Sequence, residues 1–362
     1  MRVDSDHMAR ALRLAARGLG RTSPNPVVGA VVVTSDGVIV GQGYHDRAGS
    51  AHAEIHALDA AGARARGATL YCNLEPCCHI GRTGPCVERI VADGVARVVV
   101  STEDPNPRVC GKGVAFLRAH GLTVEVGPGR DDAIRLNRPF FTFIRLGRPF
   151  VIVKIATSLD GRIALAPGVR TRLNSEAAQD HAHSDRAWVD AIAVGARTVL
   201  VDDPLLTARR VFRQRPLTRV VLDRSLGTPA TSRLFATLDA GPVVIMTTPE
   251  TLVEQAPRAA ALRDAGAELE AVEGGQLDAV FGRLADRGVT AVLVEGGRVL
   301  HQAVCEAGLV DRVQAYVAPV VLGSAGVPWV SDRQLSMAGL RDVRIRALGP
   351  DILIEGDVYR TH

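Results

Sequence analysis

The stretch LEPCCHIGRTGPC, residues 74–86, constrains this chain more than any other, because it places three of the six cysteines within thirteen positions. Such a cluster is a disulfide staple, a metal site or a group of small buried side chains. The N-terminal sequence MRVDSDHMARALRL lacks the apolar segment of a signal peptide, so we expect a cytoplasmic protein. Clustered cysteines in a reducing compartment bind metal or lie buried more often than they form disulfides. The stretch therefore favours a metal site.

The length of 362 residues predicts two domains, each large enough for its own hydrophobic core. Apolar residues make up 47% and aromatic residues 4%, which is typical of an α/β protein with a core of Val, Ala and Leu. The net charge of +4 is too small to indicate a nucleic-acid partner, but it suits a small phosphorylated ligand. No apolar run reaches the ~18 residues of a membrane span, so no membrane partner is expected.

Hydrophobic periodicity and turn residues predict alternating helices and strands in the first half. The predicted helices cover residues 4–19, 50–64, 85–94 and 112–120, and the predicted strands cover 27–33, 38–44, 68–74, 96–101 and 122–126. Ser50 is the expected N-cap of the second helix. This alternation predicts a layered sheet with helices on its faces.

The segment RLNRPFFTFIRLGRP, residues 135–149, interrupts the alternation and is interpreted as a linker. The expected domains are therefore residues 1–146 and residues 147–362. Further strand candidates follow the linker at 149–156, 218–223, 242–248, 291–297, 311–323 and 352–359. This second alternation predicts another α/β domain.

Four side chains of the first half are expected to converge. His52 and Glu54 begin one predicted helix, Cys86 begins another, and Cys77 follows a predicted strand. Helix starts that follow neighbouring strands open on the same edge of an α/β sheet. One His and two Cys fill three tetrahedral positions of zinc and leave the fourth to water, as in a catalytic site. Zinc activates that water near neutral pH, and the Glu54 carboxylate would carry the proton to the leaving group.

His-x-Glu, then Pro-Cys and a later Cys, is the pattern of the zinc nucleobase and nucleoside deaminases. Ile80 stands where Pro-Cys-x-x-Cys would place its second cysteine. Other interpretations stay open: His52 with His56 is a different zinc pair, and Cys78 as a fourth ligand would make a closed, structural zinc module. The cysteines outside the proposed site are expected to be small buried side chains: Cys72, Cys78, Cys110 and Cys305.

Four segments of the first half closely resemble the deaminase half of the bifunctional riboflavin-biosynthesis deaminase/reductase family: SPNPVVGAVVV, GYHDRAGSAHAEIHAL, LEPCCHIGRTGPC and EDPNPRVCGKG. The long gap before the last cysteine is usual in that family. The resemblance implies a cytidine-deaminase-like three-layer α/β/α domain that holds zinc with His52, Cys77 and Cys86 and uses Glu54 as proton shuttle. It also implies that four residues help to hold a pyrimidine nucleotide: Asn25, His45, His79 and Arg82.

The sequence VEGGR, residues 294–298, ends a predicted strand and opens a helix, where two glycines let backbone N–H groups approach a phosphate. Three segments of this half, KIATSLDGRIA, DAIAVGARTVLVDDPLLTAR and LVEGGRVLHQAVCEAGLVDRVQAYVAPVVLG, resemble the reductase half of the same family. The resemblance implies a dihydrofolate-reductase-like α/β domain that uses NADPH. The implied cofactor residues are Ala156, Thr198, Asp202, Gly297, Arg298, Val299, Leu300, His301, Gln302 and Ala303. The implied substrate residues are Arg186, Leu206, Arg209 and Glu295.

One segment departs from the family pattern. Members of that family usually have a segment similar to Ser-x-Trp-Ile-Thr/Ser, and this chain has RTRLN in its place. Arg170 stands at the Ser position, Arg172 at the Trp position and Asn174 at the Thr/Ser position. Arg170 is therefore a candidate substrate residue. Arg172 in place of the Trp is a candidate cofactor residue, since an arginine stacks on an aromatic face or pairs with phosphate. The change is equally expected in a reductase that has lost activity or changed cofactor, or in a drifted surface loop.

The resemblance implies two consecutive reactions. Zinc-dependent deamination of 2,5-diamino-6-ribosylamino-4(3H)-pyrimidinone 5′-phosphate would precede NADPH-dependent reduction of the ribosyl group, giving 5-amino-6-ribitylamino-uracil 5′-phosphate. A homo-oligomer is also implied. The alternatives are a cytidine, guanine or transfer-RNA adenosine deaminase, which leaves the second half unexplained, a structural zinc module joined to a nucleotide-binding regulator, and a family member whose reductase half is inactive or altered.

Overall fold

The computed structural model describes residues 2–79, 84–209, 211–329 and 339–358. The chain forms two compact units, Met1–Gly147 and Arg148–His362, which divide one residue after the boundary expected from the sequence. In the described residues, no helix combines the length and the apolar character that crossing a bilayer requires.

The described residues of the first unit form a five-stranded sheet in the order β2-β1-β3-β4-β5. Strand β1 is antiparallel to β2 and β3, whereas β3, β4 and β5 are parallel. The strands are β1 (Gly29–Val33), β2 (Ile39–Tyr44), β3 (Thr69–Cys72), β4 (Arg97–Val100) and β5 (Thr123–Val126). The helices are α1 (Arg2–Ala16), α2 (Ala53–Ala61), α3 (Cys86–Ala92), α4 (Lys112–Ala119), α5 (Arg130–Leu136) and α6 (Arg138–Leu146), with a 3-10 turn at Gly62–Ala65.

Both faces of this sheet are buried, because alternate side chains of each strand point to opposite faces. Val31 and Val33 pack in a cluster with Met8 of α1. Val32 packs on the other face in a cluster that includes Leu58 of α2 and residues of α3 and α4. The first unit is therefore a three-layer α/β/α domain.

The predicted linker at 135–149 is wrong for most of its length, because residues 135–136 and 138–146 belong to α5 and α6; the two units divide near its end, after Gly147. Proline at the first turn of α6 starts the helix instead of breaking it. Phe140 and Phe141 are buried in a cluster with Leu74 of the segment after β3. The aromatic residues that looked like a bridging segment are thus part of the first unit's core.

The second unit contains, in its described residues, a nine-stranded sheet in the order β11-β10-β9-β8-β12-β6-β13-β16-β15 and a small β14-β7 pair. The seven strands from β11 to β13 in this order all pair in parallel. Strands β16 and β15 add an antiparallel hairpin at one edge. The strands are β6 (Phe150–Ser158), β7 (Arg162–Ala164), β8 (Ala191–Gly195), β9 (Thr218–Leu222), β10 (Val243–Thr247), β11 (Ala267–Ala271), β12 (Ala291–Val294), β13 (Arg312–Ala318), β14 (Val327–Pro328), β15 (Leu340–Leu348) and β16 (Asp351–Val358). The helices are α7 (Glu176–Trp188), α8 (Ala196–Asp202), α9 (Pro249–Glu254), α10 (Ala256–Asp264), α11 (Leu277–Asp286) and α12 (Arg298–Glu306), with 3-10 turns at Arg233–Ala240 and Glu273–Gly275.

Continuous apolar runs mark the parallel strands of this sheet, since both of its faces are covered. Residues 150–153 of β6 are all buried, alternately in a cluster with α11 and α12 and in a cluster with α10. The sequence predictions did not include β8, β11 and β15 of this sheet, nor the short strands β7 and β14. The carboxyl ends of β6, β8, β9, β10 and β12 meet along one edge, which is where α/β proteins bind ligands.

Candidate zinc and dinucleotide sites

His52 is the backbone N-cap of α2, with φ −74° and ψ 162°, and its side chain makes no capping hydrogen bond. The prediction that Ser50 caps this helix is wrong, because the Ser50 hydroxyl donates instead to the carbonyl of Arg47 at 2.7 Å. The imidazole of His52 is thus available for other contacts at the amino end of α2.

Cys77 and Cys86 meet His52 at this point. His52 Nδ1 lies 3.2 Å from Cys86 Sγ and 3.4 Å from Cys77 Sγ, and the backbone N–H of Cys86 donates to Cys77 Sγ at 3.4 Å. The three ligand atoms all lie within 4.8 Å of one another. Tetrahedral zinc bonds of ~2.0 Å to nitrogen and ~2.3 Å to sulfur require ligand atoms roughly 3.5–3.8 Å apart. The ligand cluster of His52, Cys77 and Cys86 therefore fits three corners of a zinc tetrahedron.

The ligand cluster shares protons through its hydrogen bonds. Contact with the Cys86 thiol, supported by His52, lowers the pKa of Cys77 to about 4. The reciprocal contact with Cys77 raises the pKa of Cys86, and it also raises the pKa of His52 to about 9. A divalent cation replaces such shared protons, because zinc binds the thiolate form of cysteine and the neutral form of histidine.

The cluster has three protein ligands within the described residues. Cys78 does not supply a fourth, since its Sγ contacts the carbonyl oxygen of Arg108 at 3.8 Å. This arrangement leaves one position open and disfavours the closed structural module. All six cysteines are unpaired, which excludes the disulfide interpretation, and Cys72 is buried as expected. The expectation of burial is wrong for Cys110, which is exposed in the loop before α4, and Cys78 and Cys305 are only half-buried.

Glu54 lies in the first turn of α2, two residues after His52, and is 3% exposed. Its Oε2 atom is buried and has no hydrogen-bond partner among the described residues. Burial, the largest effect, raises the pKa of this carboxyl group. A buried carboxyl group with an unused oxygen beside an open metal position suits proton transfer to and from a bound molecule.

His45 and Asn25 extend the site. His45 Nδ1 lies 3.1 Å from the carbonyl oxygen of Ala51 and must donate to it, so Nε2 accepts from the Asn25 amide at 3.2 Å. The His45 ring stands edge-on to His52, with centroids 5.3 Å apart. Burial lowers the pKa of His45 and keeps the ring neutral.

Two other residues were expected to help hold the pyrimidine nucleotide. His79 follows Cys78, and its Nδ1 atom is buried with no hydrogen-bond partner among the residues that the structure describes. Arg82 lies outside the described residues.

The second unit has a cavity of about 920 Å³ along the carboxyl ends of its parallel strands, which we call the sheet-edge cavity. Most of the residues expected around a dinucleotide and its substrate line it. These are Ala156, Arg186, Thr198, Asp202, Leu206, Glu295, Gly297, Arg298, Val299, Leu300 and Ala303.

The turn between β12 and α12 opens into this cavity. Gly296 has φ +139°, and a Cβ atom there would lie 3.1 Å from Thr198 Oγ1. Gly297 is the N-cap of α12, and nothing lies within 4 Å of the position that its Cβ would take. Exposed backbone N–H groups at a helix start form an anion site. The residues present therefore fit the diphosphate of a dinucleotide.

Five expected residues do not line the sheet-edge cavity: Arg170, Arg172, Arg209, His301 and Gln302. His301 is 1% exposed and accepts the Trp329 indole N–H at 3.2 Å, and Gln302 donates to Glu306, because the helical turn carries both side chains away from the α12 start. Arg172 is exposed and donates to Gln179 at 3.1 Å. Arg209 donates its backbone N–H to His183 at 3.2 Å.

The RTRLN segment still contributes to the cavity wall through Thr171 and through the two residues before the segment. Gly168, Val169 and Thr171 line the sheet-edge cavity. Arg170 is close enough to lower the pKa of Asp202, although burial has the larger effect and raises it. Neither Arg172 nor any aromatic side chain of the described residues lines the cavity, so the expected arginine wall at position 172 is not formed.

Arg186 and Glu295 form a bidentate ion pair in the wall of the sheet-edge cavity. Arg186 Nε and Nη2 donate to the two Glu295 carboxylate oxygens at 2.8 Å each, and Nη1 donates to the Thr207 carbonyl at 3.0 Å. Burial would raise the pKa of Glu295, but Arg186 and Lys154 outweigh it and hold the pKa at about 2. Burial lowers the pKa of Lys154, whose Nζ lies 5.3 Å from the centroid of the Tyr316 ring.

Several residues of the sheet-edge cavity were not predicted from the sequence. Arg224, Thr247, Gly275 and Gln276 line it at the ends of β9, β10 and β11. The signal that could have found them is the rule that polar groups just after neighbouring parallel strands share one edge.

Each half of the chain matches a different family of known proteins. Residues 1–102 match the cytidine and deoxycytidylate deaminase zinc-binding region, and residues 149–354 match the RibD C-terminal domain. The riboflavin biosynthesis protein RibD of Aquifex aeolicus is 38% identical over 355 residues, which cover 97% of this chain and 98% of that protein. These matches confirm the fold class expected for each half and the zinc expected in the first.

Solved structures agree over the whole chain. RibD of Acinetobacter baumannii has a TM-score of 0.89 and 35% identity, with 99% of each chain covered. A diaminohydroxyphosphoribosylaminopyrimidine deaminase/5-amino-6-(5-phosphoribosylamino)uracil reductase of Thermotoga maritima has a TM-score of 0.85 and 32% identity, again with 99% of each chain covered. A stand-alone nucleobase deaminase does not fit these full-length matches. The chain therefore belongs to the RibD family of riboflavin biosynthesis, whose members join a zinc-dependent deaminase to an NADPH-dependent reductase.

Proposed function

We propose that the first unit deaminates 2,5-diamino-6-ribosylamino-4(3H)-pyrimidinone 5′-phosphate and that the second reduces the ribosyl group of the product to give 5-amino-6-ribitylamino-uracil 5′-phosphate. The observation that carries this proposal is the ligand cluster, open at its fourth position, next to the buried carboxyl group of Glu54. The Thermotoga maritima relative is named for the same pair of activities.

When bound by His52, Cys77 and Cys86, zinc supplies Lewis acidity that activates water near neutral pH. Glu54 takes up the proton of that water and passes it to the amino group that leaves as ammonia. Its burial favours the protonated form, which the donation step requires, and its free Oε2 atom gives the proton a place to reside.

Asn25 and His45 hold the pyrimidine in this proposal. His45 fixes the Asn25 amide group by accepting from its nitrogen, and the amide oxygen is thereby oriented to accept from a ring N–H or amino group. A neutral His45 adds no charge beside the ligand cluster. Arg82 is proposed to hold the substrate through its guanidinium group, which suits a phosphate ester.

In the reductase, NADPH supplies the hydride that reduces the ribosyl carbon. The start of α12 with Gly297, Arg298 and Val299 is proposed to hold the diphosphate, while Ala156, Thr198 and Asp202 complete the cofactor site. Strands β9 to β11 lie on the far side of β8 from β6, so the cavity residues at their ends, Arg224 included, suit the adenosine end of the cofactor.

Arg186, Leu206 and Glu295, the last directly after β12, line the same cavity and are proposed to hold the substrate, together with Arg209. Arg186 keeps Glu295 ionised, so the carboxylate accepts hydrogen bonds from sugar hydroxyl groups. Lys154 also lines the cavity, and burial lowers its pKa, which makes it a suitable proton donor to the reduced group. Arg170 is proposed as a further substrate contact.

One observation favours a second candidate function, a deaminase with an inactive or altered reductase. Arg172 is exposed and bonded to Gln179, and no aromatic side chain of the described residues lines the sheet-edge cavity. The intact ion pair and the open start of α12 favour the active form instead.

Two further points belong to this proposal. The protein acts in the cytoplasm, which the six free thiols support, since disulfides are rare there. It forms a homo-oligomer, and sedimentation of the purified chain tests this.

The test is to incubate the zinc-loaded protein with the freshly made substrate, with and without NADPH, and to identify products by mass spectrometry. We expect the deaminated product without NADPH and the deaminated, reduced product with it. Deamination with no reduction by either NADPH or NADH would establish the second candidate, and no deamination would refute the proposed substrate or the proposed role of the ligand cluster.

A further inference from the structure

Glu75 is a buried carboxylate, 4% exposed, that lies between β3 and the zinc ligand Cys77. It accepts three backbone hydrogen bonds from a segment far along the chain. Its Oε2 accepts from the N–H groups of Asp104 at 3.1 Å and Gly111 at 2.9 Å, and its Oε1 accepts from Val114 at 3.0 Å. A carboxylate that accepts several backbone N–H groups is held in one position by charge-assisted bonds.

These bonds join Glu75 to the start of α4. Gly111 is the N-cap of this helix and makes no side-chain capping bond of its own, so the Glu75 carboxylate takes the place of a local cap. The backbones also touch here, since a Cβ atom on Gly113 would lie 2.2 Å from the Pro76 carbonyl oxygen. The turn that carries Cys77 is therefore pressed against α4 with no room for a side chain.

Cys77 is fixed from its other side by α3. The backbone N–H of Val87 donates to the Cys77 carbonyl at 3.3 Å, and that of Cys86 donates to Cys77 Sγ at 3.4 Å. The two contacts to α3 form only when Cys77 occupies one position. The three bonds to Glu75 fix the start of the turn that brings Cys77 to that position. Loss of the Glu75 carboxylate would leave this turn joined to the segment after β4 by one main-chain bond, from the Glu75 N–H to the Thr102 carbonyl at 3.0 Å.

We propose that Glu75 is a positioning residue for the zinc site: by bonding the 104–114 segment it fixes the turn that presents Cys77 to the metal. The inference rests on the zinc site of the proposed function and concerns metal binding, whereas Glu54 concerns proton transfer. It also gives a role to the EDPNPRVCGKG segment, whose backbone supplies two of the three donors, with Val114 directly after it supplying the third.

The test compares Glu75→Gln with Glu103→Gln in the full-length protein. Glu75→Gln would keep one side-chain oxygen but place an amide N–H against a backbone N–H donor. Glu103 is exposed on the segment that Glu75 bonds, so Glu103→Gln makes the same change in charge without disturbing those bonds. Zinc affinity is measured by competition with a chromophoric chelator, and ligand geometry by the thiolate-to-metal absorption of the cobalt-substituted protein. Outer partners of metal ligands typically contribute 10–100-fold to affinity, so we expect zinc affinity to fall about tenfold in Glu75→Gln with an altered cobalt spectrum. Glu103→Gln should match the wild type in both.

A second variant, Gly113→Ala, separates the same two segments while leaving Glu75 intact, and it should weaken zinc binding in the same direction. The proposal would be overturned if Glu75→Gln had the zinc affinity and cobalt spectrum of the wild type and only lowered the melting temperature of the zinc-free protein. It would also be overturned if the wild-type chain bound no zinc. Because no substrate is used, a wild-type protein that binds zinc but does not deaminate would refute the proposed function and leave this inference standing.

Discussion

The ion pair between Arg186 and Glu295 gives the sharpest quantitative prediction. Both side chains are largely buried, with 15% and 12% of their surfaces exposed, and two 2.8 Å hydrogen bonds join them. The pKa of Glu295 is about 2 against an ordinary value of 4.5. Each pKa unit corresponds to ~1.4 kcal/mol, so the charged form contributes about 3 kcal/mol to folding at neutral pH.

Glu295→Gln removes the charge and keeps the shape. We expect the melting transition of the second unit to fall by roughly 6–12 °C at pH 7, since ~1 kcal/mol shifts a domain of this size by about 2–4 °C. The folded pKa is lowered, so this stability is present above 4.5 and is lost as pH falls towards 2. The difference between variant and wild type should therefore narrow over that interval. NADPH-dependent reduction should fall, while deamination should be retained because the ligand cluster lies in the other unit.

The measurement is differential scanning calorimetry of the full chain over a pH series, with Glu355→Gln as the matched control. Glu355 also pairs with an arginine, Arg346, but that partner is 50% exposed. Such pairs contribute about 0–1 kcal/mol, so the control should shift the transition by only a few degrees. Equal melting temperatures for Glu295→Gln and wild type at pH 7 would refute the reasoning.

Three further predictions concern the chemistry. Glu54→Gln should retain zinc, measured by atomic absorption, but deaminate about 10²–10⁴-fold more slowly, because proton transfer is lost; unchanged turnover would contradict its role. Gly296→Ala should weaken NADP⁺ binding in calorimetric titration, because the new methyl group would lie 3.1 Å from Thr198 Oγ1 in a backbone with φ +139°; wild-type affinity would contradict the close fit. Arg224→Ala should weaken NADP⁺ binding and leave NAD⁺ binding unchanged, because an arginine after a neighbouring strand suits the 2′-phosphate; equal loss for both would indicate a general contact.

The sequence alone predicted the features that depend on local pattern. Helical and strand periodicities predicted two α/β domains, because a buried face leaves a regular spacing of apolar residues. His-x-Glu with Pro-Cys and a later Cys predicted the members of the zinc site, since a metal restricts which residue types can serve as ligands. The resemblance to a known family supplied the cofactor and substrate residues, most of which the structure places around one cavity.

Only the tertiary structure decided which of these residues share a site and what holds them there. Arg186 and Glu295 are 109 positions apart, and nothing local in the sequence pairs them. The helical turn after Gly297 carries His301 and Gln302 away from the cavity, although they lie in the same run of residues. Glu75 reads as an ordinary charged residue until folding places three backbone donors around it. The physical reason is that spacing along the chain determines secondary structure, whereas burial, pairing and pKa depend on neighbours that only the packed fold brings together.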